Sequence, residues 1–324
     1  MKKVMCMWAV VVLCLTAVVF GALVLRGGKS FSSMHNDHLT FSDDESLIAT
    51  SVGVEGIYVW DAKSGTLLYR LNGSDGARPL AFIPGDRTLL TVQNDELVIW
   101  HGMDSRFDFS SSKKRTGIRW AGYCADGSMI ALCQSDREGE RVEIVTSYDE
   151  KVLATIPEAN HAVWCQQDVL AVAVKEVIQL WDCNTGTMLR AYPKQSGKVV
   201  AMAFSQETHT LVSVNLNGDL CEIDTHQELL YYEKSGTIPS ANIGVVCFDS
   251  LRVWGHAPLY IGAHTNDKVM VWRFYGGQFE EVPVRNTAAE YQYFKYLSPT
   301  CKYVTRYRYQ ENTGHTFCLE KVSY

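Results

Sequence analysis

Phe41-Ser42-Asp43-Asp44, Phe82-Ile83-Pro84-Gly85-Asp86, Tyr123-Cys124-Ala125-Asp126-Gly127, Trp164-Cys165-Gln166-Gln167-Asp168 and Phe204-Ser205-Gln206-Glu207 repeat one pattern, an aromatic residue followed by a polar turn. The aromatic positions Phe41, Phe82, Tyr123, Trp164 and Phe204 form a near-constant ruler, and Phe248 and Leu297 extend it at slightly longer intervals. Self-similarity at a fixed period marks a repeat architecture, in which each unit buries its apolar face on its neighbours. Each turn leads into a short apolar strand such as Leu47-Ile48-Ala49-Thr50 or Leu170-Ala171-Val172-Ala173-Val174. A second strand then ends on a large residue, as in Ile57-Tyr58-Val59-Trp60, Leu97-Val98-Ile99-Trp100, Ile178-Gln179-Leu180-Trp181 and Val269-Met270-Val271-Trp272. Two of these run into turns that close on glycine, Asp61–Gly65 and Asp182–Gly186, and a further strand follows.

Four short strands per unit of about 40 residues, with turn chemistry between them, predict one blade of a β-propeller. The units fall near 38–72, 78–109, 117–157, 161–193, 198–233, 243–283 and 291–322. The expected fold is therefore an all-β, seven-bladed β-propeller over 29–324, preceded by an N-terminal segment, 1–28. Units three, five and seven lack the terminal Trp, which leaves six or eight blades open. These residues resemble the WD40-repeat family over nearly all of 38–322. The polar turn resembles that family's Phe-Ser-Pro-Asp-Gly element, and Trp60-Asp61 and Trp181-Asp182 match its naming dipeptide. Trp100 is followed by His101 and Trp272 by Arg273, and Gly255-His256 and Gly314-His315 fall away from the family's Gly-His position. The family's hydrogen-bonded tetrad is thus incomplete, and the blades are expected to cohere mainly by apolar packing. The last unit stops after Thr316-Phe317-Cys318-Leu319-Glu320. Because a closed ring leaves no exposed edge, the spare segment Lys29–Asp37 is expected to pair with 316–321.

From Val4 to Leu25 no residue carries a charge. As a helix this run spans roughly 33 Å, enough for a hydrocarbon core of about 30 Å. The expectation is an N-terminal transmembrane or signal helix, membrane contact being made through residues 4–25. Cleavage after Gly21 would leave Leu23-Val24-Leu25 on the mature end, which favours an uncleaved signal anchor. Lys2 and Lys3 bias the N-terminus inward, so the propeller is expected outside the cytoplasm: periplasmic in a bacterium, secreted if the segment is cleaved. Asn72-Gly73-Ser74 is a glycosylation sequon for a eukaryotic host.

The net charge of −6 conceals a split. Lys2, Lys3 and Arg26 are the only charged side chains in 1–28, so the remainder carries every acidic residue and is more acidic than the whole. A soluble part this acidic argues against nucleic-acid partners. Cys124, Cys133, Cys165, Cys183, Cys221, Cys247, Cys301 and Cys318 are dispersed along strand-like runs, which reads as small buried hydrophobes, although an even number outside the cytoplasm also permits disulfides. No CxxC or Cys/His cluster has zinc spacing, so no metal is expected. There is no HExxH, GxSxG, Walker or Rossmann motif, so no catalytic residue, no cofactor and no enzyme are expected. His161 with Cys165 is the nearest approach to a base–nucleophile pair. Asp182–Gly186 partly resembles the turn of quinone-cofactor propeller dehydrogenases, without their docking Trp.

Two surface features remain as partner contacts. Ser110-Ser111-Ser112-Lys113-Lys114-Arg115 is the longest basic run in an acidic protein. The last unit interleaves tyrosines with Arg306 and Arg308, among them Tyr307 and Tyr309, and Tyr and Arg are enriched at binding hot spots. The functional expectation is a membrane-tethered, non-catalytic scaffold for other proteins. The alternative is an enzyme or small-ligand sensor with its site in the central funnel.

Overall fold

The computed structural model describes residues 38–51, 56–102 and 115–225 in full, and beyond them the backbone of strands between residues 23 and 321. Every element among the described residues is a β-strand, and the strands form seven four-stranded antiparallel sheets. The first comprises Leu39–Phe41, Leu47–Ser51, Ile57–Asp61 and Leu67–Leu71, in that order across the sheet. The next five begin at Arg78, Ile118, Ala159, Val199 and Arg252, each with its strands in chain order. From Leu39 to Val199 these starts follow the period of the repeat, and Arg252 comes after a longer interval. From the first to the seventh, each sheet meets its sequence neighbour.

Burial grades across each sheet. Second strands are buried along their length, as in Leu47–Ser51 and Thr210–Asn215, because sheets pack on both of their faces. Fourth strands such as Leu67–Leu71 and Thr187–Ala191 are largely exposed. The register slips by one residue within first strands, at Pro79/Ala81, Ile118/Trp120, Ala159/His161 and Val199/Ala201. In the third, fourth and fifth sheets the bulge falls at the same place, four residues before the aromatic, and in the second it falls two residues later; such bulges add local twist.

The core is apolar and lies between sheets. Leu47, Ala49, Ile57 and Val59 of the first sheet pack with Phe82, Leu89, Val98 and Trp100 of the second. Leu90, Leu97 and Ile99 of the second join Ala121, Ile130 and Leu132 of the third. Ile144 and Ile156 join Leu170 and Val172, and Ile178 joins Met202 and Leu211. This is the cohesion that the missing Gly-His pairs implied.

One expectation is corrected. The fourth strand of the last sheet, beside Tyr293–Leu297, Tyr303–Gln310 and Gly314–Lys321, is Leu23–Val24, with Leu23 opposite Leu319 and Val24 opposite Cys318. The expected partner of 316–321, Lys29–Asp37, lies outside the described residues. The closing strand is the tail of the uncharged run, whose leucine and valine suit a strand as well as a membrane. No helix among the described residues is long and apolar enough to cross a membrane, and residues 1–22 lie outside them.

Because strands alternate in direction, each sheet has two different ends. The turns joining first to second and third to fourth strands lie at one, the turn end. The second-to-third turns and the links between sheets lie at the other, the connector end.

Candidate interaction surface

First strands of the first four sheets surround a cavity of about 300 Å³ lined by residues that include His38, Arg78, Arg119, Trp120, Tyr123 and Trp164. Its polar groups are largely committed to holding sheets together. The Arg78 guanidinium donates to the carbonyls of Ile118 at 2.5 Å and Arg119 at 3.0 Å, tying the second sheet to the third. Trp164 Nε1 donates to the Gly122 carbonyl at 2.9 Å, tying the fourth to the third. Asn160 Nδ2 donates to the Val199 carbonyl at 2.8 Å, tying the fourth to the fifth. His38, Arg78, Arg119 and Asn160 occupy corresponding positions of successive units, each one repeat period after the last. The same ruler that revealed the blades could have revealed this inner polar belt.

Within the sheets, a fragment of the tetrad survives. Trp60 Nε1 donates to Thr50 Oγ1 at 3.1 Å, and Trp100 Nε1 to Thr91 Oγ1 at 2.9 Å, all four residues being buried. In the fourth sheet the position of the threonine is held by Val172, and Trp181 Nε1 turns to Gln179 Oε1 at 3.0 Å. In the fifth sheet, which has no such Trp, Gln195 Nε2 donates to buried Ser213 at 2.7 Å. Sequence reading missed that pair because glutamine stands where histidine was sought.

His161 and Cys165, the nearest approach to a base–nucleophile pair, are both buried. His161 is buried, with its ring 6.1 Å from that of Trp120 and Nε2 3.4 Å from the Met202 carbonyl. Cys165 is buried with its thiol toward the Val163 carbonyl, and burial pushes the thiol far above its ordinary range. Cys124, Cys133, Cys183 and Cys221 are also buried, as expected of small core hydrophobes. Burial pushes Cys183 up to about 12. The side chains of Cys247, Cys301 and Cys318 lie outside the described residues. No group of three or more His, Cys, Asp or Glu suited to a metal ion occurs among the described residues.

Of the basic connector, Arg115 is placed unlike a partner contact. It is 9% exposed, its guanidinium pairs with Glu143 at 3.3 Å and with Glu150, and it also donates to the Glu150 carbonyl. Lys113 and Lys114 lie outside the described residues. Arg306, Tyr307, Arg308 and Tyr309 fall on Tyr303–Gln310, the second strand of the last sheet. That strand is paired on both edges, Arg306 and Tyr307 facing Phe294 and Tyr293 on one side and Cys318 and Phe317 on the other.

The turn end is acidic. Asp44, Asp61, Asp126 and Asp182 each accept hydrogen bonds inside their own turns. The Ser42 hydroxyl lowers the pKa of Asp44, the Ser64 hydroxyl that of Asp61, the Cys124 thiol that of Asp126 and the Thr185 amide that of Asp182. These four carboxylates therefore stay charged throughout the physiological range.

No family profile matches the sequence, and no curated protein matches it. Solved structures do. The β-propeller domain of Cps50 (Swd1) from Myceliophteria thermophila is 15% identical, with a TM-score of 0.66 over 92% of this chain and 98% of that one. The RRP9 WD40 repeats are 13% identical, with a TM-score of 0.63 over 93% and 97%. U3-55K is 13% identical, with a TM-score of 0.62 over 93% and 98%. Identities this low speak for the fold alone. This chain has the β-propeller fold of WD40 domains.

Proposed function

We propose that the seven sheets are the blades of one ring, and that the ring is a non-catalytic scaffold for other proteins, tethered to a membrane by the uncharged run and held outside the cytoplasm. The observation that carries the scaffold reading is the use of the inner polar belt. Arg78, Asn160 and Trp164 bond to backbone of neighbouring sheets, so these groups brace a rigid ring. A rigid ring presents two loop-bearing ends and needs no cofactor to bind a protein. The tether rests on Val4–Ala22, an uncharged stretch that precedes the closing strand and spans about 28 Å as a helix. The connector lysines Lys113 and Lys114 are the proposed contact for an acidic partner, with Arg306, Tyr307, Arg308 and Tyr309 as the second.

A pulldown from detergent-solubilised membranes tests the reading, comparing the whole chain with a Lys113→Glu/Lys114→Glu variant. A defined partner that copurifies with the first and is lost from the second supports it. If nothing copurifies, the scaffold reading falls. Protease added outside the membrane that holds the run, with any bacterial outer membrane first removed, should reach the ring, and complete protection would refute the extracytoplasmic address. A small-ligand site in the funnel is the second reading. It is favoured by Tyr123, which lines the 300 Å³ cavity and whose hydroxyl is buried without a hydrogen-bond partner. Thermal stabilisation by a metabolite, lost in Tyr123→Phe, would establish it.

A further inference from the structure

Leu23 pairs with Leu319 and Val24 with Cys318, close to the end of Gly314–Lys321. The chain therefore enters its closing strand at the turn end of the last sheet. The uncharged run Val4–Ala22 precedes Leu23 with no linker, so the turn end is the one that faces whatever holds that run. A second, independent feature lies at the same end. Seven large hydrophobic residues are exposed among the described residues, and six of them, Leu67, Leu68, Tyr148, Val152, Met188 and Leu189, sit in third-to-fourth turns or on the first residues of fourth strands. Leu67 pairs with Trp60, Val152 with Val145 and Met188 with Trp181, which fixes all three near the turn end of their outer strands. Of the seven, only Leu216 lies at the connector end.

We infer that the turn-end rim of the ring docks on the surface of the lipid bilayer that holds the uncharged run, with these six side chains in the interfacial layer. The inference rests on the tethered reading above. Apolar side chains and an amphipathic tyrosine suit the headgroup boundary. The charge of this end selects the lipid. Its turns carry carboxylates that stay ionised, and an anionic leaflet repels them over about a Debye length. The surface that fits is therefore a zwitterionic bilayer.

The test uses the full chain reconstituted into phosphatidylcholine vesicles that contain a phospholipid with a photoactivatable diazirine near the headgroup, with crosslinked peptides mapped by mass spectrometry. Peptides bearing Leu67-Leu68, Tyr148–Val152 and Met188-Leu189 should be labelled at least five-fold more than the peptide bearing Leu216. Labelling should fall when a third of the lipid is phosphatidylserine, and should fall at all three sites in a Leu68→Glu/Leu189→Glu variant. A chain that stays on vesicles through a carbonate wash but labels both ends equally, or labels more strongly with phosphatidylserine, overturns the docking and leaves the tether standing. A chain released by carbonate overturns both.

Discussion

Thr91→Val isolates the Trp–Thr bond that the first and second sheets share. The substitution keeps the shape of the side chain and removes the oxygen that accepts from Trp100 Nε1 at 2.9 Å. Thr91 is fully buried and Trp100 is 2% exposed, so the indole N–H loses this acceptor with no water to replace it. Leaving a buried donor unsatisfied costs about 1–3 kcal/mol. For a ring of about 300 residues the unfolding entropy is roughly 0.6 kcal/mol/K, so the melting temperature should fall by about 2–5 °C, provided that the ring unfolds as one unit. The assay is thermal unfolding of the purified full chain in detergent, followed by far-ultraviolet circular dichroism. Trp100→Phe supplies the control, because it removes the donor. In that background Thr91→Val should cost little, giving a coupling energy of about 1 kcal/mol or more. Equal costs in both backgrounds would refute the reasoning, since the loss would then come from the threonine itself and not from the bond.

Arg115→Ala should destabilise the ring by about 3–5 kcal/mol, because it strands Glu150 and Glu143 in a largely buried site, whereas Lys113→Ala should be neutral in the same urea titration. Gly117→Ala should cost more than Gly76→Ala. Both glycines have positive φ, but a Cβ at 117 meets the Ser135 carbonyl oxygen at 2.3 Å while one at 76 meets open space, and urea midpoints will rank them. Cys165 and Cys183 should resist alkylation at pH 8 in the native protein and react fully in urea, since burial holds both thiols protonated; native labelling at either would contradict their placement. On acidification, Asp44, Asp61 and Asp126 have folded pKa values below their unfolded ones. Their contribution is full above the unfolded value near 3.9 and is lost as pH falls through the folded values, so Asp126→Asn should flatten the acid limb of a stability profile below pH 4.

The repeat was legible because it rests on chemistry that one residue type at a time supplies. An aromatic at the end of a first strand and a turn of Asp, Ser and Gly can be read singly, and their spacing alone placed the sheets closely over most of the chain. Apolar cohesion was legible too, since the absent Gly-His pairs left little else. Side-chain partners were not, because they depend on who stands opposite. Arg115 reads as part of a basic run, and only the approach of Glu143 and Glu150 from the third sheet turns it into an internal tie. Gln195 reads as a loop residue until Ser213 meets it.

The closing strand shows the same limit most sharply, and its resolution changes what the N-terminus is for. The uncharged run from Val4 carries no period that separates membrane helix from strand, so Leu23-Val24-Leu25 counted as the run's far end and as an argument against cleavage after Gly21. Paired with Leu319 and Cys318, Leu23 and Val24 instead complete the last sheet. A backbone amide cannot serve a membrane helix and a sheet at once, so a membrane helix in this run would have to end by Ala22. Val4–Ala22 is still long enough to cross a bilayer, and a cut after Gly21 would leave the closing strand intact at the new end. Apolar residues at that junction therefore no longer weigh against processing. What distinguishes anchor from signal is whether the ring stays on the membrane, and in either case the ring keeps its last strand.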